Sequence, residues 1–511
     1  MQLNVKKNAK RNIFFGMINK IVLLILPFIS RSVINITIGA DYLGLNSLFT
    51  SIIQVLSLTE LGFSSALVYN MYKPIAENDH KKINAILNLY RTVYRIIGCC
   101  IFGAGLVLIP FLPKLIHGNI PASVNIIHLY LLQLVNTSLS YFLFGYKQSL
   151  LVAYQREDVN SIINLVTQVS LQVTQMTILL CTKNYYYYLI VLPFFTVINN
   201  LWIGIITKRM YPDAKCEGRL DADTLGDIKK LVVGTFIQRA CVITRNSLDS
   251  ICISAFLGLK LTGIYNNYYS ISAGLSAFLG IVSTALAGGI GNHVAIKNLD
   301  DNYQELRELD FLYLNISGVV TALFLCLVQP FMILWMGDGM NLSIDSVVLL
   351  CLYFYLLKDG DMISIYSSAN GLWWKNRYRA LGETITNFVL NIVLGKILGV
   401  NGIILATIIS LFFCNIIWGN IIIFKNYFST KGMLFKYNVI HVKYGLATVA
   451  VCIISYYITK LISFDNLLLT LLVRGVVCCF TCLLYLMIWG RTEICKDSVK
   501  LIMPNNKKHG V

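Results

Sequence analysis

Fourteen apolar stretches dominate this chain. Each is near the roughly 20 residues a helix needs to cross about 30 Å of hydrocarbon. They run approximately over residues 12–38, 43–69, 92–116, 123–146, 158–182, 186–207, 231–256, 262–290, 311–336, 344–368, 380–398, 404–424, 438–459 and 467–490. In lipid every backbone N–H and C=O must find its partner within the segment, so each stretch is expected to be a helix. Of 511 residues, 56% are hydrophobic and 13% charged, whereas a soluble domain carries roughly 25% charged residues. Together with a mean hydropathy of +0.67, this excludes a cytosolic enzyme, a secreted disulfide scaffold and a disordered chain. The expected class is an all-α polytopic membrane protein of about 14 transmembrane helices.

The net charge is +17, from 42 basic and 25 acidic residues. Such a balance is often a nucleic-acid footprint, but here the basic residues sit in short segments between spans, and no nucleic-acid partner is expected. With the N-terminal tail in the cytoplasm, 29 Lys and Arg fall in segments on that side. The opposite loops hold three (Lys183, Lys260 and Lys460), and ten lie inside spans. The positive-inside rule then places both termini in the cytoplasm. The first span carries Lys20 and Arg31 and lacks a small-residue cleavage site, so it reads as a span rather than a removable leader. The 14 cysteines lie mostly within apolar runs and imply no disulfide framework. Segments 70–91 and 291–310 read as short amphipathic helices on the membrane surface.

A shift of 219 residues superposes parts of the two halves. Gly39 falls on Gly258, Gly44 on Gly263, Ser51 on Ser270, Leu56 on Leu275 and Tyr94 on Tyr313. Near a shift of 221, Leu151 and Arg156 meet Leu372 and Arg377. Six spans per half keep both halves in one orientation, the parallel-repeat arrangement of transporters. The expected domains are a six-helix lobe over 1–220, a second over 221–430, and accessory helices 13 and 14 with a tail over 431–511.

A charge at mid-bilayer costs about 2.5–3.5 kcal/mol on insertion scales and marks a functional position by default. Lys20 and Arg31, eleven residues apart, project from one helical face. The 219 shift carries Lys20 onto Arg239. Arg239 and Arg245 belong to the seventh span, where Arg245 and Asp249 stand at i and i+4 and can neutralise each other. Lys20, Arg31, Arg239 and Arg245 are candidate ligands for an anionic head group, since Arg grips phosphate oxygens bidentately and Lys offers a point charge. Glu60, Asp249, Asp359, Asp361 and Glu383 are candidates for H+ or Na+ coupling, or for structural pairing. Lys358, Asp359 and Asp361 flank Gly360, where they can pair internally at a helix break. Six scattered histidines show no metal-ligand spacing, and no nucleophile elbow, Walker A or zincin motif is present. No metal, cofactor or catalytic residue is expected.

Asn12 to Gly16, Gly39-Ala40-Asp41-Tyr42-Leu43-Gly44-Leu45 and Leu58-Thr59-Glu60-Leu61-Gly62 resemble segments of Wzx-like polysaccharide-biosynthesis flippases. These are the lipid-linked oligosaccharide transporters of the multidrug/oligosaccharidyl-lipid/polysaccharide (MOP) superfamily. The resemblance implies two lobes working by alternating access in the bacterial cytoplasmic membrane. It implies a polyprenyl-pyrophosphate oligosaccharide as substrate, in contact with membrane lipid, with other polysaccharide-assembly membrane proteins as candidate partners. It also implies basic cavity residues and two extra helices beside the lipid tail, as in lipid-II flippases. Two rivals remain. A cation-coupled drug exporter of the same fold needs acidic cavity residues, and here deep bases at least equal deep acids. A membrane glycosyl polymerase usually has a sizeable outer loop, and every outer loop here is short.

Overall fold

Every regular element among the described residues is helical. The computed structural model describes the backbone of residues 5–57, 63–118, 120–121, 124–428 and 432–502. Its described side chains further exclude residues 5–10, 13, 64–66, 223, 227, 229–231, 233–235, 237–239, 373, 488 and 499–502. The chain divides into two compact units, Met1–Gly263 and Ile264–Val511. The first eight helices are α1 (Val5–Thr37), α2 (Ala40–Leu56), α3 (Phe63–Ala76), α4 (His80–Leu108), α5 (Ile126–Phe142), α6 (Gln148–Ala153), α7 (Glu157–Thr182) and α8 (Tyr185–Met210). There follow α9 (Ala222–Leu257), α10 (Leu259–Ile296), α11 (Leu299–Met336), α12 (Ile344–Asp359), α13 (Asp361–Ala369), α14 (Trp373–Leu398), α15 (Val400–Ser410) and α16 (Trp418–Ile423). The last are α17 (Met433–Lys460), α18 (Leu467–Trp489) and α19 (Glu493–Ile502). Two π-helical segments, Leu411–Ile417 and Phe424–Phe428, flank α16.

Among the described residues eleven helical spans are long and apolar enough to cross a membrane, one of them, Val400–Phe428, running through α15, α16 and both π-helical segments, and α5 with the bent segment Gly145–Ala153 makes twelve. The other two expected spans, 43–69 and 344–368, fall on α2–α3 and α12–α13. In the first, α2 has 17 residues and residues 58–62 lie outside the described residues; the second breaks at Gly360, which leaves α12 with 16. The multi-pass class is what the sequence led one to expect. Exposed apolar side chains recur at helical spacing on α17 (Val442, Leu446, Val449, Ile453) and α18 (Leu468, Leu472, Val476, Phe480). Such stripes suit hydrocarbon and would be a liability in water.

The expected surface helices over 70–91 and 291–310 are not separate elements. Asp79 caps α4 through the Lys82 N–H, and Asn298 caps α11 through the Asp301 N–H. Both caps start helices that run on unbroken into the spans, so the charged residues form the first turns of long helices. The short amphipathic helix is α19, which packs on α11 and donates from Ser498 Oγ to the Glu308 carbonyl at 3.2 Å.

In unit 1, α1 packs on α7 and α2, and α9 packs on α2 and α3. Ser254 on α9 accepts at its carbonyl from the His117 N–H (2.9 Å) and donates from Oγ to the Leu115 carbonyl (2.8 Å). In unit 2, α11 is the central post, packed by α12, α17, α18 and α19. Its neighbours share a core that includes Leu309, Tyr313, Phe354, Tyr366, Phe428 and Tyr437.

The repeat is written in the backbone. Gly39 and Gly258, 219 residues apart, both join two helices in one left-handed conformation, φ 98° with ψ 172° and φ 93° with ψ 172°. The caps Asp79 and Asn298 obey the same shift. Beyond α6 the register changes. The left-handed residues Gln155 and Lys183 correspond to Gly371 and Gly399, a shift of 216. Turn hydrogen bonds agree: Arg156 N–H to Leu151 O matches Leu372 N–H to Ser367 O. The pairing of Leu151 and Arg156 with Leu372 and Arg377 at a shift of 221 is thus replaced, because turn geometry fixes register where chance identities do not.

Candidate functional site

The cationic ladder starts on α1. Lys20 is exposed, and Arg31 is half-buried. Arg31 Nη2 lies 3.5 Å from Ser47 Oγ on α2 and 3.5 Å from the Gly263 carbonyl. One residue away, Ser30 Oγ stands 3.3 Å from the Tyr188 hydroxyl on α8. Gln133 Nε2 donates to Asn46 Oδ1 (3.4 Å), and Thr196 Oγ1 donates to Asn136 Oδ1 (2.6 Å). Unit 1 therefore gathers a guanidinium, hydroxyls and amides around α1, α2, α5 and α8, the side-chain chemistry that holds phosphate and sugar oxygens. Pattern reading found Arg31 but none of the neutral groups, which carry no periodicity of their own.

On α9, Arg245 and Asp249 are both buried, and Arg245 Nε lies 3.4 Å from Asn246 Oδ1. Arg239 lies on the same helix, but its side chain is outside the described residues. Glu60 also lies outside the described residues.

The opening Asn12-x-x-x-Gly16 has a structural use. Asn12 Oδ1 accepts from the Asp158 N–H (2.8 Å), and Asn12 Nδ2 donates to the Gln155 carbonyl (3.1 Å). Asp158 is fully buried and meets Arg11 Nη2 at 2.7 Å and Arg156 Nε at 2.9 Å. The Arg156 guanidinium is held above its ordinary pKa, chiefly by its hydrogen bond to Asp158. These groups fasten the start of α1 to the start of α7.

In unit 2 the candidate carboxylates have basic partners. Lys358 Nζ meets Asp361 Oδ2 at 2.9 Å across the break at Gly360, and the Tyr313 hydroxyl donates to the same oxygen at 2.5 Å. Glu383 Oε2 lies 3.5 Å from Arg379 Nη1, which also bonds Asn415 Oδ1. The position equivalent to Glu383 under the 216 shift is Thr167, whose Oγ1 donates to Asn199 Oδ1 at 2.8 Å. Asn199 is in turn equivalent to Asn415, which is bonded instead by Arg379, the equivalent of Ile163, so unit 2 puts an ion pair where unit 1 has a single neutral contact. Asp359 Oδ1 lies 2.5 Å from His441 Nδ1, and His441 Nε2 lies 3.4 Å from Asp310 Oδ2. His441 and Asp310 were not singled out in the sequence. In the accessory pair, Arg474 Nε on α18 donates to the Ile462 carbonyl in the connection after α17 at 2.8 Å. Among the described residues no group of His, Cys, Asp and Glu could hold a metal ion.

The sequence profile of a family described as polysaccharide biosynthesis protein matches residues 9–287. Among solved structures, the chain is similar to a lipid II flippase MurJ in an inward closed conformation. The TM-score is 0.66 at 15% identity, covering 94% of this chain and 99% of that one. It is also similar to a multidrug resistance MATE family transporter of the MOP superfamily in an inward-facing conformation. There the TM-score is 0.60 at 14% identity, covering 78% and 94%. A MOP superfamily transporter from Pyrococcus furiosus, described as having a binding pocket of reverse polarity, gives a TM-score of 0.55 at 13% identity, covering 81% and 95%. No curated protein matches the chain. At these identities the structures show the fold alone, and the family match over residues 9–287 carries the family. The chain is a multi-pass membrane protein of the polysaccharide biosynthesis protein family.

Proposed function

We propose that this protein is a flippase that moves a polyprenyl-pyrophosphate-linked oligosaccharide across the bacterial cytoplasmic membrane by alternating access, with both termini in the cytoplasm. The observation that carries the reading is the Arg31 guanidinium. It sits within a span, half-buried, among the hydroxyls of Ser47, Ser30 and Tyr188. A cation at that depth has a reason to be there if an anion passes it. Arg31, with Lys20, Arg239 and Arg245, takes the pyrophosphate. The amides and hydroxyls of Asn46, Gln133, Asn136 and Thr196 take sugar hydroxyls. The polyprenyl chain stays in lipid.

The drug-exporter reading needs carboxylates available to a cationic substrate. Asp359, Asp361 and Glu383 face His441, Lys358 and Arg379 instead, which favours the anionic substrate. The test is a flipping assay in proteoliposomes with Lys20→Ala, Arg31→Ala, Arg239→Ala and Arg245→Ala made singly. Transport is expected to fall at least at Arg31. Undiminished transport in all four overturns the binding role.

A further inference from the structure

We propose that Asp310, His441 and Asp359 form a proton-binding site that holds accessory helix α17 on the α11–α12 core of unit 2. The three residues come from three helices at similar depth. Asp310 is eleven residues into α11, His441 eight into α17, and Asp359 is the last residue of α12, ten residues before α13 ends across the break at Gly360. At 1.5 Å per residue, each is about 12–16 Å from the same end of its helix pack.

The imidazole is wedged between two carboxylates, Nδ1 at 2.5 Å from Asp359 Oδ1 and Nε2 at 3.4 Å from Asp310 Oδ2. Both ring nitrogens face acceptors, so the arrangement is satisfied when both carry hydrogen and the ring is an imidazolium. Two carboxylates around one cation leave a net charge of −1 in a place where His441 is 8% and Asp310 is 2% exposed. Asp310 Oδ2 is occupied: the Tyr437 hydroxyl donates to it at 2.7 Å, and His441 faces it. Asp310 Oδ1 is buried with no hydrogen-bond partner. An ionised carboxylate with an orphaned oxygen is far costlier to bury than a neutral acid. One further proton, bound on Asp310 Oδ1 and exchanged with water, brings the cluster to neutrality, and no other bond forms or breaks.

The surrounding groups do not supply that neutrality. On α12 and α13, Lys358 is committed to Asp361. On α11, Arg307 lies over the Tyr303 ring, 6.0 Å from its centroid, and its charge is offset by the adjacent Glu308. Glu308 on α11 accepts from Gln304 Nε2. The nearby tyrosines Tyr303, Tyr355, Tyr366, Tyr437 and Tyr444 are neutral phenols, and Glu305 on α11 is committed to His293 and Lys297. α17 lies outside the internal repeat, so this cluster ties an added helix to the repeated core, and proton occupancy sets how well the tie is balanced. As pH falls the site fills and α17 is held more firmly.

As a proton site the cluster stands by itself. As the place where a proton gradient acts on transport, it rests on the flippase reading above. The test is infrared spectroscopy of the purified full chain, following the C=O stretch of a protonated carboxyl through the neutral pH range. Wild type is expected to show such a band. Asp310→Asn should abolish it, Asp361→Asn should leave it, and His441→Gln should move its titration. Absence of the band in wild type, or a band unaltered by both Asp310→Asn and Asp359→Asn, overturns the proposal. The wild-type spectrum decides even if a variant fails to fold. A chain that shows the band yet moves no lipid-linked sugar refutes the flippase reading and leaves the proton site standing.

Discussion

Gly44 lies so close to Leu259 that a Cβ on it would stand 2.0 Å from that residue's carbonyl oxygen. The repeat returns the contact: Gly263 faces Ala40, where a Cβ would stand 3.0 Å from the carbonyl. Adding 219 to Gly44 and Ala40 gives Gly263 and Leu259, so two glycines in equivalent positions let α2 and the start of α10 cross with backbones touching. Overpacking a close contact costs about 1–3 kcal/mol. Gly44→Ala is expected at or above the upper end, because backbone atoms must move. Gly263→Ala should cost about 1 kcal/mol. Gly16→Ala, with nothing within 4 Å, should be neutral or stabilising. Thermal unfolding midpoints in detergent should fall in that order.

Asp158 holds two guanidiniums at one buried carboxylate, and its backbone N–H donates to Asn12 Oδ1. Removing one partner of a buried ion pair costs about 3–5 kcal/mol. Because Arg11 and Arg156 reach solvent, Asp158→Ala should sit near about 3 kcal/mol. Asn12→Ala, which loses only neutral hydrogen bonds, should cost about 1 kcal/mol. Protease protection of α1 should weaken in both and most in Asp158→Ala.

The Arg379–Glu383 pair invites a swap toward unit 1, whose equivalent residues are Ile163 and Thr167. Arg379→Ile alone leaves Glu383, 7% exposed, without its cation and should be strongly destabilising. The double variant Arg379→Ile with Glu383→Thr should recover most of the loss, since replacing a buried ion pair by apolar groups is often neutral. Comparing midpoints of the single and double variants checks this. If the double variant is stable yet inactive, the pair serves transport.

The class and the repeat were legible because both rest on simple signals: runs of about 20 apolar residues and glycines that tolerate a left-handed joint. Gly39 and Gly258 could be matched by eye. Gln155 and Gly371 could not, since nothing in the letters says that Gln155 is left-handed. The charged segments 70–91 and 291–310 read from the letters alone as surface helices, each apart from the span that follows. Their caps instead begin helices that continue into it. Lys358 and Asp361, three apart, were readable as a local pair. His441 was not, because its partners lie 82 residues away at Asp359 and on another helix at Asp310. Spacing rules see only one helix at a time.

The central claim is that the basic groups of unit 1 receive a pyrophosphate. Its most direct test is the affinity of the purified protein for undecaprenyl pyrophosphate against undecaprenol, in wild type, Arg31→Lys and Arg31→Ala. A charge-assisted hydrogen bond contributes about 1.5–3 kcal/mol, and every 1.4 kcal/mol is about tenfold. The account predicts that wild type prefers the pyrophosphate, that Arg31→Ala weakens its binding about tenfold or more, and that Arg31→Lys falls between. Equal affinity for the two lipids, or a preference untouched by Arg31→Ala, would contradict it.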